Sequence, residues 1–414
     1  MATETLTYTS DFWKLWTYQT QAGSFVLDFS QLNGADVLGN GTDGLAVTDY
    51  PIASVSIHQG STLDYGVVHT IAPASAEVTL NVKDFTADQI NDFYVGTAVA
   101  ITVDNHNGTA EPWAWMFSGV IDSASVTFMP GEDYATISIS ATGSSANTLN
   151  AGLNVTKNET TSKSALIQAA ATAAGIAIGF DTSAYNFKGT ARESKTIGEW
   201  AADLALCDFM QMRDTPQPLY VYQPFPTSTT WYVSYYTAPY FAITKYTGTS
   251  AGTLDETDIT DVQLDWSGAG SPTGVTLTNY TDQAIIYQYG STETAAGGAV
   301  TYSNTVDLKD ITQMTAVGQQ LLAMVKAFKP ITVNTITATN YQSVVYKSTN
   351  LPSDYGTVDI IWKPQNLYEV GETITIDLPD YGIDNNNMII VGRTITVTPD
   401  NWTTSYDLWK GFTS

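Results

Sequence analysis

From Pro51 to Thr142 apolar and polar residues alternate in short runs rich in Val, Ile and Thr, bounded by Gly, Pro, Asn and Asp. A period of two sends successive side chains to opposite faces, so these runs predict consecutive antiparallel strands. They are ASVSIHQG, AEVTLNVKD, AVAITVDN, WAWMFSGVI, ASVTFMPG and YATISISATG. Asp104 to Gly108 and Met129 to Asp133 predict hairpin tips, since Asn and Gly tolerate positive φ. Six or so strands in about ninety residues predict a small barrel or sandwich. The run FTADQINDFYV, residues 85–95, breaks the alternation and predicts one or two helical turns.

The period then changes. Thr161 or Ser162 can cap a helix through Ala174, with Ala165, Ala169, Ala170 and Ala173 on one face and Gly175 as the stop. The capping box Thr196-Ile-Gly-Glu199 opens a second helix that buries Ile197, Trp200, Ala201 and Leu204. Strands at 219–223, 230–236 and 240–246 make this stretch α+β. The Pro- and Tyr-rich residues 216–240 predict a projecting loop or hairpin, whose aromatics read as core and interface packing ahead of sugar stacking. Residues 248–258 read as a polar linker. Strands resume at 259–266, 273–278 and 284–289. A helix at about 310–328 carries Ile311, Met314, Val317, Leu321, Leu322, Val325 and Phe328 on one stripe and is stopped by Pro330. The last segments, ITVNTITAT, TVDIIW, GETITIDL, MIIVGRTITVT and TTSYDLW, are β again.

Composition narrows what this β-rich chain can do. Its 414 residues hold 16 Lys and Arg against 41 Asp and Glu, a net charge of −25 that argues against binding nucleic acid by phosphate neutralisation. With 43% hydrophobic and only 14% charged residues it is globular, and its length implies two to four domains. Residues 1–156 carry sixteen acids and two bases, 157–247 seven of each, and 248–414 eighteen acids and seven bases. A near-neutral middle thus lies between two acidic regions. The start has neither the basic nor the apolar region of a signal peptide, and no apolar run approaches the roughly 18 residues that span a bilayer. The expectation is synthesis in a cytoplasm, without ordinary secretion.

Candidate chemistry is sparse. The single Cys207 excludes an intrachain disulfide and reads as a buried structural thiol, because its neighbours Leu206 and Asp208 offer nothing to lower a thiol pKa. His58 and His69 could face each other across a hairpin with Asp64 at its turn, but two His and one acid do not complete a zinc site, and His106 stands apart. The run from Asp380 to Asn387 lacks the spacing of a calcium loop and reads as a polar hairpin. No nucleophile elbow, zincin, P-loop or dinucleotide fingerprint is present. A glycosidase needs only two carboxylates, which 41 acids leave open. The expectation is therefore no enzyme, no catalytic, cofactor-binding or metal residues, and no cofactor.

Several of these runs carry a resemblance. Residues 52–142, with Ala76 to Leu80, Val95 to Ile101 and Phe117 to Ile121 as successive strands, resemble the opening domain of the tail hub, or baseplate hub, family of minor tail proteins of long-tailed bacteriophages. Ser164 to Ala174 and Thr196 to Trp200 are similar to that family's following helices. Leu367 to Ile376 with Ile389 to Val397 are similar to its end. The resemblance implies a mainly β, multi-domain chain with an α+β domain and small antiparallel β-barrels of tail-tube type. It implies a homotrimeric ring at the tail tip of the virion that joins tube to tip and lines the DNA channel. The implied partners are a distal tail or tube protein, a tape measure protein and a tip or central fibre protein, with DNA only in passage. The expected layout is an N-terminal extension over 1–47, a first barrel over 48–150, an α+β domain over 151–257, and a second barrel over 258–414 with an insertion around 296–350. A distal tail ring protein and a host-surface carbohydrate- or receptor-binding β protein stay open as alternatives.

Overall fold

In the computed structural model the alternating runs close on themselves. It describes residues 3–5, 13–19, 46–64, 67–104, 113–128, 133–143, 145–176, 178–208, 210–214, 222–224, 231–233, 241–245, 250–265, 274–283, 286–290, 301–327, 332–339, 345–347, 368–399 and 401–409. Strands β1 (Trp13–Gln19), β2 (Ala46–Asp64), β3 (Ser75–Lys83), β4 (Ala98–Asp104), β5 (Trp113–Phe128) and β6 (Tyr134–Gly143) pair antiparallel in the ring β2-β1-β4-β5-β6-β3, and β3 returns to β2. The period of two decides what lies inside: Ala76, Val78, Leu80 and Val82 of β3 are buried between exposed Glu77 and Asn81, and Ala135, Ile137, Ile139 and Ala141 of β6 face them. Each fully buried aliphatic side chain contributes about 1.5–3 kcal/mol.

Two features depart from the sequence reading. Strand β1 lies inside the stretch expected to be an extension, yet it is a barrel stave, with Trp13, Leu15 and Thr17 buried. Its alternation is clear, but a Gly-rich stretch separates it from β2. The runs WAWMFSGVI and ASVTFMPG form the single strand β5, because a bulge between Ile121 and Ser123 absorbs the change of register that reads as a turn. The helical interruption is a 3-10 helix, Ala87–Phe93, whose Phe93 packs 4.9 Å from the Tyr50 ring and closes one end of the barrel. The predicted tips at 104–108 and 129–133 fall almost wholly outside the described residues.

A second set of six strands comprises β7 (Ser250–Asp255), β8 (Ile259–Asp265), β9 (Thr332–Thr339), β10 (Thr373–Leu378), β11 (Ile383–Thr398) and β12 (Asn401–Trp409). Their order is β7-β10-β11-β12-β9-β8, with β7 and β10 parallel and a tight turn from Asp255 to Asp258 joining the two outer strands. The polar run read as a linker is thus mostly strand β7, which buries Leu254 and leaves Asp255 outside. Residues 357–362, TVDIIW, lie outside the described residues.

The closed barrel and this second, barrel-like set, whose end strands β7 and β8 pack on one core but have no ladder between them among the described residues, share a strand. The first part of β11 pairs with β10, and Gly392 to Val397 pair with Gly60 to Val55 of β2. Ile395 and Val397 of β11 and Trp402 of β12 therefore join the core of the first barrel, where Trp402 meets Trp13 edge-on at 5.2 Å. At the crossing Gly60 (φ 145°) opposes Gly392, and a Cβ on Gly60 would lie 2.6 Å from the Gly392 Cα. Buried Arg393 completes the seam, donating from Nε to Gln59 Oε1 at 3.1 Å and from Nη1 to the Tyr368 carbonyl at 2.8 Å.

Two segments leave the barrels. The first, between β6 and β7, contains helices α1 (Lys163–Ala173) and α2 (Ile197–Asp208), an antiparallel pair 152–156 with 192–196, and a three-stranded sheet of 179–180, 241–245 and 210–214. The second, between β8 and β9, has strands at 274–279, 286–290 and 301–306 and helix α3 (Ile311–Ala327). It thus begins before residue 296, and residues 332–339 inside the expected insertion are the barrel stave β9. Tyr185, Leu206 and Cys207 of the first share one core with Leu277, Met314 and Leu321 of the second, so the two pack as one layer.

Candidate functional site

The helices show how this layer is built. Thr196 and Glu199 form the predicted capping box: the Thr196 N–H donates to Glu199 Oε2 at 2.7 Å and the Glu199 N–H to Thr196 Oγ1 at 3.2 Å. The stripe Ile197, Trp200, Ala201 and Leu204 is fully buried. On α1 Ser162 is the cap, but the buried positions are Lys163, Ser164, Ile167 and Ala171, while Ala165, Ala169 and Ala173 are exposed. Polar partners set this rotation: the Lys163 ammonium lies 2.6 Å from Asp203, and Ser164 Oγ accepts from the Ser183 N–H at 2.7 Å. The alanines serve as strong helix formers on the open face. On α3 Asp310 caps the Thr312 and Gln313 N–H groups at 3.0 Å each, Met314, Val317, Leu321 and Leu322 are buried, and Ile311 projects half exposed.

The chemistry-bearing residues do not converge. His58, on β2, pairs across to Ser75 and Thr394 and shares a 3.0 Å hydrogen bond with Thr394. His69 occupies the register shift of the hairpin formed by 61–64 and 67–71, so it does not stand across from His58. His106 lies outside the described residues. Among the described residues no three His, Cys, Asp or Glu side chains form a metal-sized group. The run Asp380 to Asn387 is a 3-10 turn with Gly382 at φ 72° leading into β11. Beside it a hollow of about 250 Å³ is lined by Glu256, Asp261, Asp380 and Tyr381 together with aliphatics.

Cys207 is fully buried. The fold brings Lys163 Nζ within 3.5 Å of its sulfur, a cation that the neighbouring sequence does not reveal. Burial pushes the thiol up to about 12; the Lys163 ammonium pulls the other way, and Asp203 and Asp208 add to the rise. A neutral thiol is what this site holds, with no base to make it a nucleophile.

The surface offers more. Strand β5 is paired by β4 only as far as Val120, and the Ile121 N–H reaches the Thr97 carbonyl. Beyond that, the edge of residues 122–128 facing away from β6 has no backbone partner among the described residues. Its sequence, Asp-Ser-Ala-Ser-Val-Thr-Phe, has neither Lys nor Pro to guard it, and Phe128 at its end is 59% exposed. Such an edge is a template for a strand of another chain. The candidate functional surface is therefore a docking edge.

No family model matches the sequence, and no curated protein does. Among solved structures, a tail protein from Neisseria meningitidis MC58 is similar over 88% of this chain and 93% of its own, at 13% identity and a TM-score of 0.55. The 43 kDa tail protein of prophage MuSo2 from Shewanella oneidensis is similar over 89% of this chain and 95% of its own, at 13% identity and a TM-score of 0.53. At such identities the likeness is one of fold, and it runs nearly end to end in both directions.

Proposed function

We propose that the chain is a structural tail protein of a long-tailed phage, and within the tail the hub: a homotrimeric ring joining the tail tube to the tip. The carrying observation is the pair of barrels in one chain, since three such chains present six barrels and can match a sixfold tube to a threefold tip. The open edge of β5 supplies a surface on which neighbouring barrels can join. In this reading the protein is made in the host cytoplasm and resides in the virion at the tail tip. It contacts a distal tail or tube protein, a tape measure protein and a tip or central fibre protein, and it is not an enzyme.

Charge supports a channel role. The barrel-bearing residues 1–156 hold sixteen acids and two bases, and 248–265 with 332–414 hold fourteen acids and four bases. The inserted residues 266–331 hold four acids and three bases, close to neutral like 157–247. Carboxylates on barrels that line a channel repel passing DNA, where Lys and Arg would retain it. Mass photometry of the purified protein and counting of copies per tail test the assembly. Three copies fit the hub; six copies with a monomer in solution overturn it in favour of a distal tail ring protein. Peptidoglycan or polysaccharide turnover lost on replacing a single carboxylate would overturn the non-enzymatic reading.

A further inference from the structure

Where the two inserted segments meet, three charged side chains converge on one point. Lys157 follows strand 152–156, Glu193 lies on its partner strand, and Asp307 follows strand 301–306, one hundred and fifty residues from Lys157. The Lys157 Nζ lies 2.5 Å from Asp307 Oδ2 and also contacts Glu193 Oε2. Lys157 and Asp307 side chains are each 3% exposed, Glu193 18%. The rings of Phe187, Trp200 and Tyr280 stand 5.5, 6.0 and 5.5 Å from the Nζ. The other oxygen of the aspartate is held separately: Oδ1 accepts from the Lys188 N–H at 3.1 Å and from Thr281 Oγ1 at 3.2 Å.

We propose that this is a self-reacting cross-link site, at which Lys157 and Asp307 condense to an isopeptide bond with Glu193 carrying the proton. The amine and carboxyl are already in contact, so the loss of freedom that makes amide formation slow between separate molecules has been met by folding. Burial disfavours the ammonium, but Asp307 and Glu193 outweigh it and hold the Lys157 pKa above the ordinary lysine range, so the neutral amine that can attack is a minor form, reached by proton transfer out of the ammonium. Glu193, touching the same nitrogen, takes that proton and returns it to the departing oxygen, the work of a general acid and base. The Nζ–Cγ bond forms as the Cγ–Oδ2 bond breaks. Of the three ammonium hydrogens one stays on the amide nitrogen and two leave with Oδ2 as water, so neither oxidant nor co-reactant is needed. Oδ1 becomes the amide oxygen, and the two donors on it stabilise the charge that builds there in the tetrahedral intermediate. Lys195, 2.9 Å from Glu193 Oε1, orients the proton carrier.

The test is the mass of the full-length protein, measured denatured beside an Asp307→Ala variant prepared identically so that any terminal processing cancels. The expected wild-type mass is one water below that of its sequence, the variant showing no such deficit, and digestion gives a branched peptide joining Lys157 to Asp307. Glu193→Gln retains both reactants and is expected to lower the cross-linked fraction at least tenfold. A wild-type mass equal to the sequence mass overturns the proposal whatever the variants do. So does a water lost elsewhere, with no branch at Asp307, or a branch at Glu193 instead. Cross-linking of the Glu193→Gln protein as complete as in the wild type removes Glu193 from the reaction.

Discussion

Cys207 sits where two influences compete. The Lys163 ammonium at 3.5 Å favours a thiolate; full burial, with Asp203 and Asp208 nearby, favours the thiol, and the thiol wins at about 12. Once exposed by opening of helix α2, the same sulfur ionises near 8.5. The sign follows from proton counting. Above pH 8.5 the open state binds fewer protons than the native one, so the opening free energy falls with pH, the loss beginning at the unfolded pKa and ending near the folded one. At about 1.4 kcal/mol per unit, the fall between pH 8 and pH 10 is about 2 kcal/mol. Other groups titrate in that range, so the quantity to measure is the wild-type stability minus that of Cys207→Ala at each pH. The difference is expected to shrink by about 2 kcal/mol from pH 8 to pH 10. A thiol-reactive chromophore should label native protein at pH 8 only through rare opening and denatured protein at once. Labelling of native protein at the rate of a free thiol, with a pH-independent difference, would show that the ammonium has won.

Four further outcomes are expected. Thr196→Ala removes one half of the capping box and should cost about 1 kcal/mol in denaturant unfolding. Lys163→Met strands Asp203, which keeps 14% exposure, so a cost of about 2–3 kcal/mol is expected below the fully buried limit, and adding Asp203→Leu should recover much of it in a double-mutant cycle. Gly60→Ala drives a Cβ against Gly392 and should lower stability by about 1–3 kcal/mol, more than Gly96→Ala, whose φ is also positive but whose surroundings are open, as thermal unfolding will show. Ser125→Lys places a charge on the open edge of β5; it should leave the thermal midpoint of the isolated chain unchanged while reducing self-association in mass photometry.

Most of the strands were legible because a half-buried strand must alternate, and the helices because caps and stripes are local. What lay beyond reach depended on pairing between distant segments. Strand β1 alternates as clearly as β3, yet nothing near residue 13 says that its neighbours are β2 and β4. Strand β7 buries only Leu254, so its polar residues look like a linker until β10 lies beside it. Helix α1 hides a lysine and leaves its alanines in solvent because Asp203 and Ser183, far along the chain, meet its polar side chains. The Lys157, Glu193 and Asp307 cluster was invisible for the same reason: three unremarkable charges, 36 and 114 residues apart in succession, meet only through the fold. Which strand edge would be left open depended on where β4 stops.

The sharing of β11 between the barrels has a consequence for synthesis. A ribosome makes β1 to β6 first, but the barrel they form is not finished by them: Gly392 to Val397 complete the edge of β2, and Ile395, Val397 and Trp402 complete its interior. At about 5–20 residues per second, residues 55–60 wait on the order of 20–70 s for these partners. Through that interval the nascent chain carries an unfilled core beside Trp13 and an unclaimed strand edge, both open to neighbouring copies on the same message. Translation that stops before β11 therefore damages the barrel of β1 to β6 made earlier, and β11 acts as a quality check on it.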